Sequence, residues 1–375
     1  MLRTEKLRAL AKIAGVDVLV AMSPENFVFV SGAYIMTVEM IRPRHAYAVI
    51  LRDAEPVVLV CTIEETLARH ESWIADVRTY VEFKENPIEV LAELLKEKGL
   101  TAGMRLGIDL GYLPHASYVR LAERLPGVEI VDTTEVVATM RAVKDEDEVA
   151  KVEFAAKMTH QVAVEAMSAS RLGETEKTMA DRITKGLIDY GADGSLFTVF
   201  GSGERTRLAH AIPGDRVPRQ SEIIRFDVGG RYGPWMSDFA RTYSTGDPTE
   251  VQRVMYRNLR EVQEETIRFI RPGITAADVF HVCRAAFEKR GMRFHMPHIG
   301  HSFGVEIHEN PMLRPGDDTV LRPGMVFNIE PFGFDEEGSG YHLEDLIVVT
   351  DDGCRILTNG LAPKEIPIIG EPLES

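Results

Sequence analysis

The sequence contains few cysteines and lacks any long apolar run. Its 375 residues include 3 cysteines, which lie far apart at Cys61, Cys283 and Cys354. An odd number of cysteines leaves at least one thiol unpaired in any disulfide scheme, so this usage favours a reducing compartment. No segment approaches the roughly 18 consecutive apolar residues that a membrane-spanning helix needs, and the first residues lack a signal-peptide pattern. We therefore expect a soluble, cytoplasmic protein.

Basic residues are too few to balance the acidic ones. The chain has 43 lysines and arginines against 58 aspartates and glutamates, which gives a net charge of -15. Such a charge repels phosphate backbones and anionic lipid headgroups. We therefore expect neither nucleic acid nor a membrane surface as a partner, and instead expect a small substrate.

Short β-rich runs alternate with helical segments in the first part of the chain, at 16–22, 46–51, 56–61 and 105–110. This alternation is typical of an α/β domain. The charged stretch RAVKDED follows at 141–147, and a helical pattern of apolar residues comes after it. We therefore predict one α/β domain over residues 1–142 and a second domain over residues 143–375.

An internal repeat with an offset of about one hundred residues organises the second part of the chain. Glycines bound a helical segment at 173–191, and glycines bound a segment of the same length at 273–291. In the second copy, Thr275 and Asp278 have the spacing of a capping box, which gives the helix start a physical reason. The repeat predicts two related halves.

Each half then carries a predicted hairpin with two acidic residues. Apolar runs end at Asp227 and Glu330, and turns lead from them to Asp238 and Glu344. If a pseudo-twofold axis relates the halves, the four carboxylates converge. Like charges in a partly desolvated cleft raise each other's pKa unless cations compensate them. The sequence therefore predicts divalent metal ions at this point.

Three histidines lie close together, namely His298, His301 and His308. On a straight strand the last two would point to opposite faces, so they share a site only if the chain bends, which Gly300 and Gly304 allow. Carboxylates combined with imidazole suit Mn, Zn, Fe or Co better than metals that prefer thiolates. An imidazole ligand from this segment therefore fits the predicted metal site.

Four motifs occur in order, and they are FDVGGRYGPWMSDFART, GHSFGVEIHENP, GMVFNIEP and GSGYHLED. With them the chain resembles the pita-bread metallohydrolases, which include prolidase, aminopeptidase P, methionine aminopeptidase and creatinase. The N-terminal region resembles the creatinase-type domain of prolidase and aminopeptidase P. The resemblance implies an α/β creatinase-type N-terminal domain, an α+β pita-bread catalytic domain with an internal pseudo-twofold duplication, and a homodimer.

By motif position, the resemblance implies a set of five ligands for two divalent metal ions: Asp227, Asp238, His301, Glu330 and Glu344. Asp238 and Glu344 would bridge the ions, with manganese expected first and cobalt, zinc or iron as alternatives. The implied reaction is hydrolysis of the Xaa-Pro bond of dipeptides or short peptides by a metal-bridging hydroxide, because cations lower the pKa of bound water. Glu330 would also relay protons.

The resemblance also assigns unligated catalytic histidines. His308 would contact the substrate carbonyl and stabilise the tetrahedral intermediate, and His210 would line the substrate pocket. His298 either lies behind the ligands or has a structural role only. Arg241 either fixes a carboxylate or backbone geometry near the metals or forms a surface ion pair.

Two positions depart from the family pattern. Dipeptide-cleaving relatives usually carry arginines where this chain has Met312 and His342. An arginine fork binds a substrate carboxylate in a bidentate manner that neither replacement reproduces, and His342 becomes a substrate-binding candidate. The substrate class therefore stays open, and the alternative is a creatinase-like, metal-dependent hydrolase or lyase of a small non-peptide metabolite. The complete ligand set, together with His210 and His308, argues against a binding protein without turnover.

Overall fold

The computed structural model describes residues 3–371, which divide into two compact units with the boundary between Arg141 and Ala142. Each unit has its own clusters of buried apolar side chains. Across the described residues, every helix is too short or too polar to cross a lipid bilayer.

The first unit is a sheet with helices packed on both faces. Its strands are β1 (Val18–Ala21), β2 (Tyr47–Leu51), β3 (Val57–Cys61), β4 (Asp76–Tyr80), β5 (Arg105–Ile108) and β6 (Glu129–Asp132). Its helices are α1 (Arg3–Ile13), α2 (Pro24–Ser31), α3 (Met36–Met40), α4 (Glu65–Glu71), α5 (Pro87–Glu97), α6 (His115–Arg124) and α7 (Thr134–Arg141). The strand order is β4-β3-β2-β1-β5-β6. Val20 and Leu19 face separate apolar clusters, as expected for a sheet that is covered on both sides.

The second unit combines long helices with several small antiparallel sheets. Its helices are α8 (Glu146–Ala169), α9 (Glu176–Asp189), α10 (Glu250–Phe269) and α11 (Ala276–Lys289). Its strands are β7 (Gly194–Ser202), β8 (Ile223–Tyr232), β9 (Trp235–Met236), β10 (Phe239–Ser244), β11 (His301–Ser302), β12 (Glu309–Met312), β13 (Val326–Ile329), β14 (Phe332–Phe334), β15 (Gly340–His342), β16 (Asp345–Val349) and β17 (Cys354–Ile356). One sheet has the order β10-β8-β7, and another has the order β13-β16-β17.

The predicted repeat is visible in the helices of this unit. Thr175 caps the start of α9 and Thr275 caps the start of α11. In α11 the predicted capping box is confirmed, because Thr275 Oγ1 accepts from the Asp278 backbone N–H at 3.1 Å and the Asp278 carboxylate accepts from the Thr275 N–H at 2.8 Å. Gly191 and Gly291 follow the two helices with φ of 93° and 67°, a left-handed conformation that glycine adopts without strain.

The two predicted hairpins also form, and they meet. Asp227 lies within β8 and Asp238 directly precedes β10, which pairs antiparallel with β8. Glu330 directly follows β13 and Glu344 directly precedes β16, which pairs antiparallel with β13. The backbone N–H of Glu344 donates to the Ala240 carbonyl at 3.1 Å. The hairpins therefore join along one edge, where their acidic residues are concentrated.

Candidate metal centre

Three carboxylates from the two hairpins form an acidic cluster, which consists of Asp227, Asp238 and Glu344. Each offers one oxygen such that all three oxygens lie within 4.8 Å of one another. Asp238 is 6% exposed and Glu344 is 1% exposed. Within residues 3–371, Asp227 Oδ1 and Glu344 Oε2 are buried and have no hydrogen-bond partner. The cluster therefore concentrates negative charge where the protein supplies few donors.

Burial raises the pKa of each member of the acidic cluster. The pKa of Asp238 lies well above its usual value because of burial and then because of the nearby charge of Glu344. Burial, followed by the charge of Asp227, also holds the pKa of Glu344 well above its usual value. The pKa of Asp227 is raised mainly by burial, which His342 partly opposes. Such a group of carboxylates needs either protons or cations for compensation.

Glu330 lies outside this group of three and is surrounded by imidazoles. Its Oε1 is 3.4 Å from His298 Nδ1 and 3.5 Å from His301 Nε2, and its Oε2 is 3.5 Å from His342 Nε2. Burial alone raises the pKa of Glu330, but these imidazoles outweigh burial and hold it far below its usual range. Glu330 is therefore a stable carboxylate at neutral pH.

His301 connects Glu330 with the acidic cluster. Its Nε2 lies 3.9 Å from Asp238 Oδ2, and its side chain is almost completely buried. Burial lowers the pKa of His301 to about 4. The ring is therefore neutral at physiological pH, which is the form that binds metals.

Asn328 supports both the imidazole and the cluster. Its Oδ1 accepts from the His301 backbone N–H at 2.8 Å, and its Nδ2 lies 3.0 Å from His301 Nε2. The same Nδ2 donates to Glu344 Oε1 at 2.5 Å. Sequence patterns did not single out Asn328, although it lies in the GMVFNIEP motif, two positions before Glu330.

The bend predicted between His301 and His308 is confirmed. The two ring centroids are 3.9 Å apart, and His298 lies 6.1 Å from His308. Burial lowers the pKa of His308, and the nearby carboxylate of Glu330 partly opposes this shift. His298, His301 and His308 therefore lie close together near Glu330, and His298 is a neighbour of the predicted ligands.

Arg225 supports the loop that leads to exposed His210. Its Nη2 donates to the carbonyl of Leu208 at 3.1 Å and also to the carbonyl of Ala209. Its guanidinium lies over the ring of Phe332, 5.1 Å from the centroid. Sequence patterns did not single out Arg225, although it lies two positions before Asp227 on the same strand.

Arg241 is buried, so it cannot form the surface ion pair that was the second interpretation of this residue. Its Nη2 donates to Asp345 Oδ1 at 2.6 Å, and its Nη1 donates to the Glu344 carbonyl and to the Ala240 carbonyl. Arg241 therefore holds the backbone that presents Glu344, as one of the two interpretations predicts.

His342 lies among the acidic residues, whereas Met312 lies on strand β12 opposite His301. His342 Nδ1 is 3.8 Å from Asp227 Oδ2, and the ring meets Phe332 edge to face at 5.7 Å. The backbone N–H of His342 donates to Thr242 Oγ1 at 2.9 Å. Met312 pairs with His301 across β11 and β12. The two departures from the family pattern therefore occupy different surroundings.

The donor set fits divalent cations. Carboxylate oxygens and a neutral imidazole converge, and two buried carboxylate oxygens of the cluster lack partners among the described residues. Oxygen and nitrogen ligands of this kind suit manganese, iron, cobalt or zinc. A cation would supply the positive charge that the hydrogen-bond donors around the cluster do not.

Comparison with known proteins agrees with this chemistry. Residues 150–351 match the model of metallopeptidase family M24, and residues 3–143 match the creatinase/prolidase N-terminal domain. The chain is 27% identical over 371 residues to a putative dipeptidase of Bacillus subtilis, covering 98% of this chain and 100% of that protein. It is 27% identical over 358 residues to an Xaa-Pro dipeptidase of Pyrococcus furiosus, covering 95% of this chain and 97% of that protein.

The solved structure of an X-Pro aminopeptidase from Thermotoga maritima matches with a TM-score of 0.85 and 25% identity, covering 98% of this chain and 99% of that chain. This match and the family models confirm the predicted fold class, a creatinase-type N-terminal domain with a pita-bread catalytic domain. The family implies a peptidase reaction and divalent metal ions, in agreement with the acidic cluster. The chain therefore belongs to metallopeptidase family M24.

Proposed function

We propose that this metallopeptidase hydrolyses the Xaa-Pro bond of dipeptides or short peptides with the help of two divalent cations. The observation that carries the proposal is the acidic cluster, whose three carboxylate oxygens lie within 4.8 Å of one another. Relatives named Xaa-Pro dipeptidase, such as the one from Pyrococcus furiosus, align with 95% of the chain and support the substrate class.

The proposed ligands of the two cations are Asp227, Asp238, His301, Glu330 and Glu344. Asp238 and Glu344 are proposed to bridge, and their deep burial next to each other supports this role. Manganese is the proposed metal, because the donors are oxygen atoms and an imidazole nitrogen. When bound, such cations lower the pKa of coordinated water to near neutrality and so supply a nucleophile.

The catalytic roles of this chain's own residues follow from their surroundings. His308 is proposed to donate a hydrogen bond from its ring to the substrate carbonyl oxygen, and the lowered pKa that burial causes keeps this ring neutral before the reaction. Glu330 is proposed to accept and return a proton at a carboxylate oxygen. Its low pKa, which the neighbouring imidazoles cause against the effect of burial, leaves the carboxylate ionised at neutral pH.

Substrate binding is proposed for His210, His308 and His342. His210 lies at the end of the loop that Arg225 holds, and His342 lies 3.5 Å from Glu330. An imidazole cannot grip a carboxylate in the bidentate manner of arginine, so a free substrate C-terminus contributes less here than in a site with arginine. Peptides longer than two residues should therefore be cleaved as well as dipeptides.

A second candidate function is hydrolysis or lysis of a small non-peptide metabolite at the same metal centre. Met312 and His342, which replace the two arginines of dipeptide-cleaving relatives, favour it. The two candidates share the cations and differ in the substrate groups that they recognise.

One experiment separates these functions. The purified chain is loaded with Mn²⁺, its metal content is measured, and turnover is followed on Gly-Pro-type dipeptides, their C-terminal amides, longer Xaa-Pro peptides and a panel of amidines. We expect about two cations per chain and proline-bond cleavage of both free and amidated substrates. Full metal loading with inert Xaa-Pro substrates and turnover of an amidine would establish the second candidate. A chain that binds no cation would overturn both.

We also propose a cytoplasmic homodimer with domains at 1–142 and 143–375. Unpaired thiols at Cys61, Cys283 and Cys354 support a reducing compartment, and the resemblance to prolidases supports the dimer. Sedimentation should give twice the chain mass of 41.9 kDa, and limited proteolysis should cut near the domain boundary. A single-chain mass would contradict the dimer.

A further inference from the structure

A buried ion pair lies within the second unit, outside the proposed ligand set. Lys144 Nζ is 2.8 Å from Glu309 Oε2, and the two side chains are 2% and 1% exposed. Burying two charges is costly unless their geometry is good and further hydrogen bonds satisfy them. Here Lys144 Nζ also donates to Ser302 Oγ at 3.1 Å, and Glu309 Oε1 accepts from the Val305 N–H at 3.2 Å. Each member of the pair therefore makes a further hydrogen bond to a neighbouring residue.

These contacts link both ends of one loop, residues 301–309, which we call the histidine loop. Ser302 directly follows His301, and Glu309 directly follows His308. Lys144 thus binds one residue next to each histidine, and the two imidazole centroids are 3.9 Å apart. The ion pair therefore connects the two ends of the loop, which are also partners across β11 and β12.

The backbone of Lys144 is fixed by a sheet outside the histidine loop. Its N–H donates to the Gly324 carbonyl at 3.0 Å, and the Gly324 N–H donates to the Val349 carbonyl at 3.0 Å. A Cβ added at Gly324 would lie 2.6 Å from the Lys144 carbonyl oxygen, so the two backbones approach closely. Val349 belongs to β16, which begins directly after Glu344. The anchor of Lys144 is therefore the sheet that carries part of the acidic cluster.

The middle of the histidine loop packs on the same pair. A Cβ added at Gly304 would lie 3.2 Å from Lys144 Cε and 3.3 Å from Glu309 Oε1. The Gly304 carbonyl accepts from the Met236 N–H at 2.8 Å, two residues before Asp238. The turn at Gly304 therefore touches both the ion pair and the hairpin of the first half.

We propose that Lys144 and Glu309 are positioning residues that hold His301 against the acidic cluster and His308 beside it. The inference rests on the proposed function, in which His301 is a ligand and His308 contacts the substrate carbonyl. Both charged residues act through their neighbours in the chain. A pair with a structural role only would change the stability of the protein, whereas a positioning pair changes the metal centre and the catalytic rate.

The test compares Lys144→Met and Glu309→Gln with the full-length wild type. Lys144→Met removes the charge while keeping an unbranched side chain, and Glu309→Gln keeps an acceptor. The measurements are the visible absorption spectrum and the affinity of bound Co²⁺, followed by kcat and KM on a peptide that the wild type cleaves. Loss of a residue that orients a ligand typically costs about 10–100-fold in metal affinity or activity. We expect losses of this size in Co²⁺ affinity and kcat, a changed spectrum and a nearly constant KM.

Two further variants complete the design. Lys144→Arg keeps the charge and should restore part of the affinity and of kcat. If Lys144→Met does not fold, Glu309→Gln carries the test. The matched control is Glu153→Gln, which breaks a half-exposed pair in which Glu153 lies 2.8 Å from Arg355. This control should leave the Co²⁺ spectrum, the affinity and kcat unchanged.

A lower melting temperature with unchanged Co²⁺ spectrum, affinity and kcat would overturn the proposal and leave the pair a structural role only. If the wild type cleaves no Xaa-Pro peptide, the proposed substrate class fails, but the Co²⁺ spectrum and affinity still decide the role of the pair. A wild type that binds no Co²⁺ would overturn both proposals.

Discussion

Asp109 of the first unit and the acidic cluster of the second unit are buried carboxylates in different surroundings. In the first unit, Asp109 is 0% exposed, and both of its oxygens accept hydrogen bonds. Oδ2 accepts from the backbone N–H groups of Met22 at 2.7 Å and Ser23 at 3.0 Å, and Oδ1 accepts from Asn26 Nδ2 at 2.9 Å. These donors lie at the start of α2, so Asp109 ties β5 to the beginning of a helix.

The acidic cluster of the second unit has a different environment. Asn328 donates to one oxygen of Glu344, whereas Asp227 Oδ1 and Glu344 Oε2 are buried without partners among the described residues. Burial raises the pKa of both Asp109 and Glu344. At Asp109 the three hydrogen-bond donors oppose this rise, whereas at Glu344 the neighbouring carboxylates add to it. Hydrogen-bond donors within the protein therefore distinguish the structural carboxylate Asp109 from the proposed metal ligands, although both are buried.

Asp238→Asn should have the largest effect on the acidic cluster. The substitution removes a proposed bridging charge, and the cation contribution to the reaction is worth several kcal/mol, so kcat/KM should fall by about 10³-fold or more. Metal content should fall as well, while circular dichroism shows a folded chain. Full activity with stoichiometric metal in this variant would refute the assignment of the cluster.

His308→Ala tests whether this histidine lies outside the set of metal ligands. The residue is proposed to contact the substrate and not the cations, so metal content should stay at the wild-type level. Removing one donor to the developing oxyanion typically costs about 10²–10³-fold in kcat. If metal analysis shows a loss of cations instead, the roles of His301 and His308 have been misassigned.

Asp109→Asn tests the structural role of the buried carboxylate in the first unit. An amide cannot accept all three hydrogen bonds, so the free energy of unfolding should fall by about 1–3 kcal/mol. Chemical denaturation measures this loss, and the metal content of the folded chain should not change. Asp238→Asn is the matched variant, and without cations it should unfold no more easily than the wild type because it relieves repulsion between like charges. Equal losses in both variants would contradict the distinction.

The smallest expected effect is the contribution of the buried, neutral His160 to the pH dependence of stability. His160 stacks on Phe239 at 4.6 Å and accepts from the Asn359 N–H at 3.2 Å. Burial lowers its pKa to about 3, below the unfolded value of 6.5. The unfolded chain therefore binds a proton as the pH falls below about 6.5, whereas the folded chain does not until about pH 3, so stability is lost over this range.

Between pH 6.5 and 5 this residue should account for about 1–2 kcal/mol of the lost stability. His160→Gln should make stability less dependent on pH, and urea denaturation at the two pH values measures the difference. The exposed His70 provides the control, because His70→Gln should keep the wild-type dependence. An unchanged slope in His160→Gln would show that His160 is not buried as a neutral base.

Local signals in the sequence predicted the elements that depend on neighbouring residues. The capping box of Thr275 and Asp278 requires only residues of one helical turn, and it forms as predicted. Strands β4 and β6 were not among the predicted β-rich runs, because charged residues such as Asp76 and Glu129 interrupt their apolar pattern. Strands at the two ends of a sheet tolerate such residues, since one long side is exposed.

The contacts that support the metal centre could not be predicted from local patterns. Lys144 and Glu309 are 165 positions apart, and Arg241 lies 104 positions from Asp345. Asn328 and His298 lie inside or beside predicted motifs, but only the folded chain brings them against Glu344 and Glu330. A single sequence carries no record of which distant side chains meet.

The family, the repeated halves and the candidate ligands could all be predicted from the sequence, because spacing along the chain and the chemistry of the side chains suffice for these. Tertiary structure alone decided which carboxylates lack hydrogen-bond donors, and it decided that a lysine before α8 reaches a glutamate beside His308. The physical reason is that burial and hydrogen bonding depend on distances in space, and two joined hairpins bring distant parts of the chain to one point.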